Sequence, residues 1–405
     1  MVNMEKNQLK ILAITQYFPP DISGGSTRAY NYTKALAEQG YDVTVITAHP
    51  HQHSSVPKEY KRKLVVKEKF EKMNLFRVWI PSLLHISPRN NMILIITFLF
   101  TSLFPLFRVK PEVIIIFEPN LFSIIPGYLY SKFRGGKMIR VVDDLWPEIL
   151  YERGYMKSKF SKWIINRLTR FSYEYPKYLI PLNEEVKHVI HKSHNIPEEK
   201  IKIITHGVDT KIFKYSNYIK NQNFIAMYSG SLVESYDFDI IINAAKKLKN
   251  ENIKFIIRGK GKLLPYIQKL KKEYNLENLI IDTNFIPIEK LAETLSKADV
   301  LLAPMGKGKY LNFSLPTKIL EYQAIGRPII CSSNDAIGKF VENTDSGIRT
   351  EHENSEEFVE AIRKLMNDEI LCKKLGKNGR KNIEEFHTIE KIGEQLSEII
   401  KKLTM

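Results

Sequence analysis

The chain has 405 residues, of which 43% are hydrophobic and 26% charged, so its length and composition fit two packed domains and exclude a disordered chain. Its two cysteines, Cys331 and Cys372, exclude a disulfide framework and are typical of a reducing compartment. The formal net charge of +16 favours a polyanionic partner. Because the sequence has no zinc-finger spacing, aromatic platform or recognition helix, we expect phosphorylated small molecules or an anionic membrane surface rather than nucleic acid.

The N-terminal part begins with a predicted strand, a glycine loop and a helix. The apolar run Lys10–Thr15 predicts a buried strand, and Val43–Ile46 predicts the next one. Between them, Gly24-Gly25 leads into a stretch whose core-facing residues recur at helical spacing: Ala29, Tyr32, Thr33, Leu36 and Ala37. This strand–helix–strand order is the βαβ unit from which parallel sheets are built.

The remaining strands of the first half follow at short intervals. Leu64–Phe70 and Leu75–Ile80 predict a hairpin. Short apolar runs predict further strands at Val113–Phe117, Met138–Val142, Leu179–Leu182 and Ile201–Ile204.

One segment, Met92–Phe107, carries no charge over sixteen residues and is flanked by Arg89, Arg108 and Lys110. It is shorter than the roughly 20 residues that span a bilayer, and Pro105 interrupts it. Two interpretations remain open. The segment is either a helix buried in the first domain or a helix lying in the membrane interface, held there by the neighbouring cations.

The pattern restarts in the second half of the chain. Phe224–Tyr228 predicts a strand, Gly230 opens a loop, and Phe238–Leu248 predicts an amphipathic helix. Further strands are predicted at Phe255–Ile257, Leu279–Ile281, Val300–Ala303 and Ile329–Cys331.

We therefore predict an α/β fold in which two Rossmann-like parallel-sheet domains face a cleft. The first domain is expected over residues 1–206 and the second over residues 207–388, with the polar stretch Tyr215–Asn223 as the linker. A last helix within residues 389–405 lies beyond a complete second sheet, and we expect it to cross back to the first domain.

Glycines and cations follow the predicted strands at the positions where open parallel sheets bind ligands. In the first domain, Gly24 and Gly25 let backbone amides approach a phosphate at a helix N-terminus, although a Gly-Gly turn is common without a ligand. The corresponding candidates for ligand binding in the second domain are Gly230, Arg258, Gly259 and Lys260.

The segment Ser314–Pro328 carries the most specific signal. Pro316 begins a predicted helix, Lys318 lies in its first turn, and Glu321 lies one turn later. A lysine at that place opposes the helix dipole, which indicates that something anionic compensates it. We predict that Lys318 neutralises a diphosphate and that Glu321 accepts hydrogen bonds from ribose hydroxyls, the alternative being a solvated helix start.

Two adjacent carboxylates, Asp143 and Asp144, follow the predicted strand Met138–Val142. A carboxylate there would face the cleft and could take the proton of an acceptor hydroxyl, or orient it. Adjacent carboxylates repel each other, so we expect the pKa of one of them to be raised. The alternative is that Asp144 caps the following helix.

Two groups of histidines are assigned to the solvated surface, because no matching cysteine or carboxylate set accompanies them and no metal site is predicted. The groups are His49, His51 and His53, and His188, His191 and His194.

Together these motifs resemble glycosyltransferase family 4, the retaining enzymes of the GT-B fold, over nearly the whole chain. Tyr17–Pro20 with the following glycine pair resembles the family's opening loop, and His206–Thr210 resembles its crossover. Ala298–Val300 with Pro304, and Lys318–Pro328, resemble its donor-domain core.

Two strings resemble a particular branch of the family. Asp144–Glu148 and Pro316–Tyr322 are similar to segments of amino-sugar and fucosamine-type transferases that build lipid-linked surface polysaccharides.

The chain departs from the family pattern at several positions. Asp143 stands where the family commonly has a catalytic-site histidine, and Phe313 stands where the first glutamate of its Glu-x7-Glu pair belongs. Ser231 and Tyr236 replace the arginine and lysine that usually hold the donor diphosphate. Phosphate binding is therefore expected to depend on Lys318, on Arg258 or Lys260, and on backbone amides.

The resemblance implies a hexosyltransferase that moves a sugar from a UDP-sugar to a polyprenyl-linked or other membrane-held acceptor in surface glycan or glycolipid synthesis. An N-acetylated hexosamine is one candidate sugar, and the resemblance implies retention of configuration without a metal or other cofactor. Two alternatives are a UDP-sugar epimerase of the same fold and a catalytically inactive subunit of a transferase complex. The polar N-terminus predicts no signal peptide, so we expect a cytoplasmic protein, peripheral on the inner face of the cell membrane.

Overall fold

The chain folds into two compact units. The computed structural model describes residues 8–21, 24–51, 56–81, 88–118, 121–143, 145, 147–148, 151, 154, 158–284, 286–308, 313 and 315–405. The first unit comprises Met1–Gly207 together with Ile389–Met405, and the second comprises Val208–Thr388.

Short runs of isoleucine, valine and leucine form most of the strands, because β-branched and apolar side chains pack well on a buried pleated surface. In chain order the strands are β1 (Lys10–Ile14), β2 (Asp42–Ala48), β3 (Val65–Phe70), β4 (Met73–Val78), β5 (Val113–Ile116), β6 (Lys137–Val142), β7 (Tyr178–Pro181), β8 (Phe224–Ser229), β9 (Ile253–Arg258), β10 (Leu279–Asp282), β11 (Val300–Pro304), β12 (Ile329–Ser332) and β13 (Gly347–Thr350).

Helices connect the strands, and several begin at a capping side chain. Asn183 and Asp237, for example, each accept a hydrogen bond from a backbone N–H of the first helical turn that follows. The helices are α1 (Gly24–Glu38), α2 (Pro88–Leu106), α3 (Ile124–Arg134), α4 (Lys159–Glu174), α5 (Glu184–His194), α6 (Phe238–Lys247), α7 (Leu264–Glu273), α8 (Ile288–Ser296), α9 (Thr317–Ala324), α10 (Ala336–Asn343), α11 (Ser355–Asn367), α12 (Glu369–Asn382) and α13 (Ile389–Thr404).

Each unit is built on one sheet in the part of the chain that the structure describes. The first sheet has seven strands in the order β3-β4-β2-β1-β5-β6-β7, and the second has six in the order β10-β9-β8-β11-β12-β13. All neighbouring strands run parallel except β3 and β4, which form the predicted hairpin. The α/β fold class with two Rossmann-like parallel sheets is thus confirmed.

Helices cover both faces of the first sheet. One face packs under α1 and α13, where Leu36, Ile392 and Leu396 have no exposed surface. The other face packs under α2 and α3, with Phe98 and Leu106 equally buried. Fully burying such a side chain contributes roughly 1.5–3 kcal/mol, so the contact between α1 and α13 is a principal support of this unit.

The second sheet is covered in the same way. Phe238 and Ile241 of α6 and Phe358 and Ile362 of α11 lie in one apolar cluster with strands β8 and β9. The predicted amphipathic helix at Phe238–Leu248 is therefore present and buries its apolar side.

The prediction of a strand at Ile201–Ile204 is wrong. Only a single bridge, between Leu179 and Ile201, forms there. Further along, the carbonyl oxygen of Ile204 accepts hydrogen bonds from the side chains of Arg28 (2.7 Å) and Tyr32 (2.8 Å) of α1. Side chains satisfy this backbone group, so no strand ladder is needed.

The stretch Tyr215–Asn223, predicted as a linker, lies against the second unit. The Ser216 N–H donates to the Ile325 carbonyl at 3.2 Å, and Arg327 donates to the Ser216 carbonyl at 2.7 Å. The Tyr218 hydroxyl donates to Asp299 at 3.0 Å. These bonds attach the stretch to one unit along its length.

The uncharged segment Met92–Phe107 forms most of α2, and it fits neither open interpretation alone. Its inner side is core, whereas Phe100 and Phe104 are 60% and 55% exposed. Among the described residues, no helix has both the length and the apolar character required to cross a membrane.

Candidate active site

In the first unit, Asp143 directly follows β6, at the carboxyl edge of the sheet. One of its carboxylate oxygens, Oδ1, accepts a short hydrogen bond from the guanidinium of Arg28. The other, Oδ2, is buried and has no hydrogen-bond partner in the described structure. Since a buried acceptor without a partner costs free energy, Oδ2 is the natural acceptor for a ligand hydroxyl.

Arg28 holds this edge of the sheet together from inside. Its side chain is fully buried on α1 and also donates to the Tyr32 hydroxyl and to the carbonyls of Val142 (3.2 Å) and Ile204 (2.7 Å). Burial works against its charge, but Tyr32 and Asp143 outweigh that effect and leave the pKa of Arg28 above its ordinary value.

A second buried ion pair lies beside the first. Glu118, which follows β5, pairs with Arg140 of β6, and both side chains are at most 2% exposed. The other oxygen of Glu118 accepts the backbone N–H of Asp143 at 3.1 Å. Because these groups fix one another, the position of Asp143 does not depend on a ligand.

The other candidates in the first unit are placed as follows. Gly24 and Gly25 are the first two residues of α1, as expected for a glycine loop that leads into a helix. Asp144 lies outside the described residues.

In the second unit, the loops after β8 and β9 pack backbone against backbone. The Gly230 N–H donates to the Arg258 carbonyl at 3.0 Å, and a Cβ on Gly259 would lie 1.8 Å from the Gly230 carbonyl oxygen. Gly230 and Gly259 have φ angles of 152° and 144°, which favour glycine. Glycine at 259 is therefore required by the packing of the two loops.

The ammonium group of Lys318 lies against Gly230. A Cβ at Gly230 would be 2.4 Å from Lys318 Nζ, so glycine makes the space that the ammonium occupies. Lys318 Nζ donates to the Tyr228 hydroxyl at 3.0 Å and lies 4.2 Å and 3.9 Å from the ring centres of Tyr228 and Tyr236. The lysine is thus held between two aromatic faces at the carboxyl end of β8.

Glu321 is one turn of α9 further on. Burial raises the pKa of Glu321 to about 7, and the charge of Lys318 opposes that shift. Burial likewise lowers the pKa of Lys318 to about 7, opposed by Glu321. Both side chains nevertheless keep some exposed surface, so a ligand can reach them.

The other two cations predicted to bind the donor, Arg258 and Lys260, have different surroundings from Lys318. Arg258 is 7% exposed, forms an ion pair with Asp282, and donates to the Asn284 carbonyl at 2.7 Å. Its guanidinium is therefore engaged within the fold. Lys260 is exposed at the tip of the turn.

The assignment of the first histidine group to the solvated surface is wrong for His49, which is 1% exposed. Burial, together with the charge of Arg77, lowers the pKa of His49 to about 4, so it is neutral at neutral pH. The surface assignment is also wrong for His51 and His194, whose side chains are 5% and 15% exposed, whereas His188 is exposed as expected. His53 lies outside the described residues.

Sequence reasoning missed four side chains of these sites, namely Arg28, Glu118, Arg140 and Tyr228. Arg28 lies on a helix and Glu118 follows a strand, and from the neighbouring sequence each would be taken for an ordinary charged residue on the surface. The available signal was positional, since Glu118 and Tyr228 stand at strand ends, as the recognised candidates do.

Models of two glycosyltransferase families match the chain, one in each half. The family model described as Glycosyltransferase Family 4 matches residues 22–212, and the model described as Glycosyl transferases group 1 matches residues 209–382.

Two relatives illustrate the range of similarity. An uncharacterized glycosyltransferase from Methanocaldococcus jannaschii is 23% identical over 410 residues, which cover 98% of this chain and 99% of the relative. The capsular polysaccharide biosynthesis glycosyltransferase CapM from Staphylococcus aureus is 26% identical over 235 residues, which cover 54% of this chain and 60% of CapM.

Solved structures share the architecture. Sucrose-phosphate synthase from Thermosynechococcus elongatus superposes with a TM-score of 0.78 at 16% identity and covers 98% of this chain and 99% of its own. HepE from Anabaena, solved in complex with UDP, superposes with a TM-score of 0.68 at 14% identity and covers 98% and 100%. With two Rossmann-like sheets and family matches that together span residues 22–382, the chain is a glycosyltransferase of the family 4 type with the GT-B fold.

Proposed function

We propose that this glycosyltransferase moves a hexosyl unit, with retention of configuration, from a UDP-sugar to an acceptor held in a membrane. The observation that carries the donor part is the position of Lys318, whose ammonium lies beside Gly230 at the carboxyl end of β8. This is the place where open parallel sheets bind phosphorylated ligands. A diphosphate there would meet the ammonium directly and would restore the charge that burial disfavours.

The nature of the donor and acceptor is supported by the relatives' names. HepE was solved with UDP, which supports a uridine nucleotide as the leaving group. CapM takes part in capsular polysaccharide biosynthesis, which supports a surface-glycan acceptor such as a polyprenyl-linked sugar. Among donors, a UDP-linked N-acetylated hexosamine is the first to test, because two strings of the sequence resemble transferases of amino sugars.

The proposed step breaks the bond between the anomeric carbon and the diphosphate oxygen and forms a bond from that carbon to the acceptor oxygen. The acceptor's proton passes to the departing diphosphate oxygen on the same face, so UDP leaves and the configuration is kept. Lys318 would stabilise the charge that develops on the diphosphate, without a metal. On the acceptor side, Asp143 Oδ2 would accept the hydrogen bond that orients the hydroxyl, while Arg28 fixes the carboxylate.

The direct test is a panel of nucleotide-sugars, measured first by thermal shift and then by consumption with and without a membrane lipid extract. The expected result is that a UDP-sugar stabilises the protein and is consumed only when lipid is added, with the product's anomeric configuration matching the donor's by NMR. Conversion of the donor to an epimeric UDP-sugar without lipid would instead establish the epimerase. Stabilisation without turnover under any lipid would favour an inactive binding subunit.

A further inference from the structure

Three neighbouring helices of the first unit leave a large group of apolar side chains in solvent. We call this group the outer apolar face. It contains ten of the nineteen exposed large hydrophobic side chains among the described residues: Met92, Ile93, Ile96, Phe100, Phe104, Phe107, Phe133, Phe160, Trp163 and Ile164.

On α2 the exposed residues form one stripe. Met92, Ile96, Phe100 and Phe104 recur every fourth residue and are 42–60% exposed, while Phe98 on the inner side has no exposed surface. A helix that packs on a sheet usually carries polar or charged residues on its outer side. Here the outer side is apolar over several turns, and the packing of the fold does not account for it.

The stripe continues across the neighbouring helices. α2 contacts α3, and Tyr128 of α3 packs edge-on against Phe171 of α4 and Tyr175 directly after it, at 5.0 and 4.7 Å between ring centres. The three helices therefore form one layer. At the start of α4, Phe160 and Trp163 stack at 6.2 Å and are 69% and 60% exposed.

The direction of the helices relates this face to the candidate site. α2, α3 and α4 each end a few residues before a parallel strand begins, so their C-terminal ends lie at the amino edge of the sheet. The helices run back across the sheet, so their first turns lie toward its carboxyl edge. α4, for example, is 16 residues or about 24 Å long, which is enough to span the strands. Phe160 and Trp163 thus lie toward the same edge of the sheet as Asp143.

Cations surround the face. Exposed lysines and arginines follow α2, end α3 and line α4: Arg108, Lys110, Lys132, Arg134, Lys159, Lys162, Arg167 and Arg170. The acidic residues in the described parts of 88–134 and 158–174 are Glu112, Glu118 and Glu174, of which Glu118 is buried with Arg140 and Glu174 pairs with Arg170. The combination of aromatic and aliphatic side chains with a cationic border is complementary to an anionic lipid surface. Two copies of the face would bring like charges together.

We propose that the outer apolar face docks onto a bilayer that contains anionic lipids, with α2 and the start of α4 in the headgroup region. The carboxyl edge that holds Asp143 is then turned toward an acceptor emerging from the same membrane. This last point rests on the proposed function, whereas the docking itself requires no turnover.

The test is sedimentation of the full chain with vesicles of phosphatidylcholine alone and with phosphatidylglycerol added. We expect binding to the anionic vesicles and at least about a tenfold weaker partition for the double variant Phe100→Glu/Phe104→Glu, since two apolar contacts are replaced by like charges. A second variant, Phe160→Ser/Trp163→Ser, should also bind more weakly. The matched control is Ile219→Glu/Ile370→Glu in the second unit, whose side chains are 79% and 82% exposed and which should bind as the wild type does.

Two outcomes overturn the proposal. Equal vesicle binding by the wild type and both face variants would show that the face is not the docking surface. A wild-type dimer by light scattering that the face variants convert to a monomer would show that a second copy covers it. UDP-sugar affinity, measured in parallel without lipid, separates the two proposals: docking with no donor binding contradicts only the proposed function, and donor binding with no docking contradicts only the membrane face.

Discussion

The carboxyl edges of the two sheets hold their charges differently. In the first unit the cations Arg28 and Arg140 each pair with a carboxylate whose side chain is at most 15% exposed. In the second unit Arg258 also pairs with a carboxylate, that of Asp282. Lys318 differs, because it has no carboxylate within ion-pair distance among the described residues and its neighbours are the rings of Tyr228 and Tyr236. An ion pair within the protein fixes the positions of both side chains before any ligand binds. A lysine held between aromatic rings has no anionic partner and can bind an anionic ligand. Under the proposed function, the acceptor side would be preformed and the donor side would be completed by its ligand.

The largest effect is expected from opening a closed pair. Arg28→Ala would leave the Asp143 carboxylate without its cationic partner and would remove one of the two side-chain donors to the Ile204 carbonyl. Breaking a buried ion pair by removing one partner costs about 3–5 kcal/mol. The free energy of unfolding, measured by urea denaturation, should fall by that amount. Arg170→Ala, which removes an exposed pair with Glu174, should change the free energy of unfolding far less, because solvent screens exposed ion pairs. Equal losses in the two variants would mean that Arg28 is not the support described here.

The second prediction concerns the open cation. Lys318→Ala should weaken UDP-sugar binding by about 10- to 100-fold, because a charge-assisted hydrogen bond to a diphosphate contributes about 1.5–3 kcal/mol. Calorimetric titration provides the affinity, and Lys297→Ala, an exposed lysine of the same unit, is the control. Wild-type affinity in the Lys318 variant would remove its role in binding.

A third prediction follows from the pKa of Lys318, which burial lowers to about 7. If UDP-sugar binds the protonated lysine, as proposed, its affinity should fall about tenfold per pH unit above 7, and binding should take up a proton there. The groups that face Lys318 are Tyr228, Tyr236 and Glu321, and neither tyrosine loses its proton in this range. A UDP-sugar is the right probe because its diphosphate, esterified at both ends, does not titrate near neutrality. Affinity that is flat from pH 6 to 9, or that rises, would contradict the assignment.

The lowered pKa of Lys318 also predicts how the free energy of unfolding changes with pH. Lys318 is deprotonated in the folded state above about pH 7 but remains protonated in the unfolded chain until about 10.5, so its contribution to stability rises with pH across that interval. Glu321, with its pKa raised to about 7 from 4.5, contributes stability below 4.5 that is lost as the pH rises to 7. In Lys318→Met the rise in the free energy of unfolding between pH 7 and 10, measured by urea denaturation, should be smaller than in the wild type.

The smallest effect is expected at the aromatic neighbour. Tyr236→Leu keeps an apolar contact but removes the ring face 3.9 Å from Lys318 Nζ. A cation–π contact contributes about 0.5–2 kcal/mol, so UDP-sugar affinity should fall by a few-fold to about 30-fold. Tyr236→Phe keeps the ring and should bind as the wild type does. A Phe variant as weak as the Leu variant would show that the hydroxyl, rather than the ring, matters.

The strands were predictable because their signal is local. Runs such as Val113–Phe117 are apolar and β-branched, and such runs form buried strands in most contexts. The one false strand, Ile201–Ile204, has the same local signal, but its carbonyl is taken by Arg28 from 176 residues away. The short strand β13, with Arg349 and Thr350 in it, lacked an apolar run and was missed.

The candidate sites were predictable only in part, for the same physical reason. Lys318 was recognisable because a lysine in a first helical turn is locally unfavourable. Its aromatic neighbours come from positions 228 and 236, about 90 residues earlier, and nothing near them in sequence indicates that they face a lysine. Tyr236 was visible as a departure from the family pattern, but its contact with the lysine belongs to the tertiary structure.

The position of α13 has a consequence for synthesis of the chain. Residues 208–388 form the second unit without interruption, but the first unit needs Ile389–Thr404 to cover α1, where Gly207 leaves room for Ile392. Ribosomes add about 5–20 residues per second, so roughly 10–40 s separate the synthesis of residue 207 from that of α13. During that time the apolar side of α1 lacks its cover. The first unit therefore cannot complete its native packing until residues 389–404 have been made, and this apolar side stays uncovered while the whole second unit is synthesised.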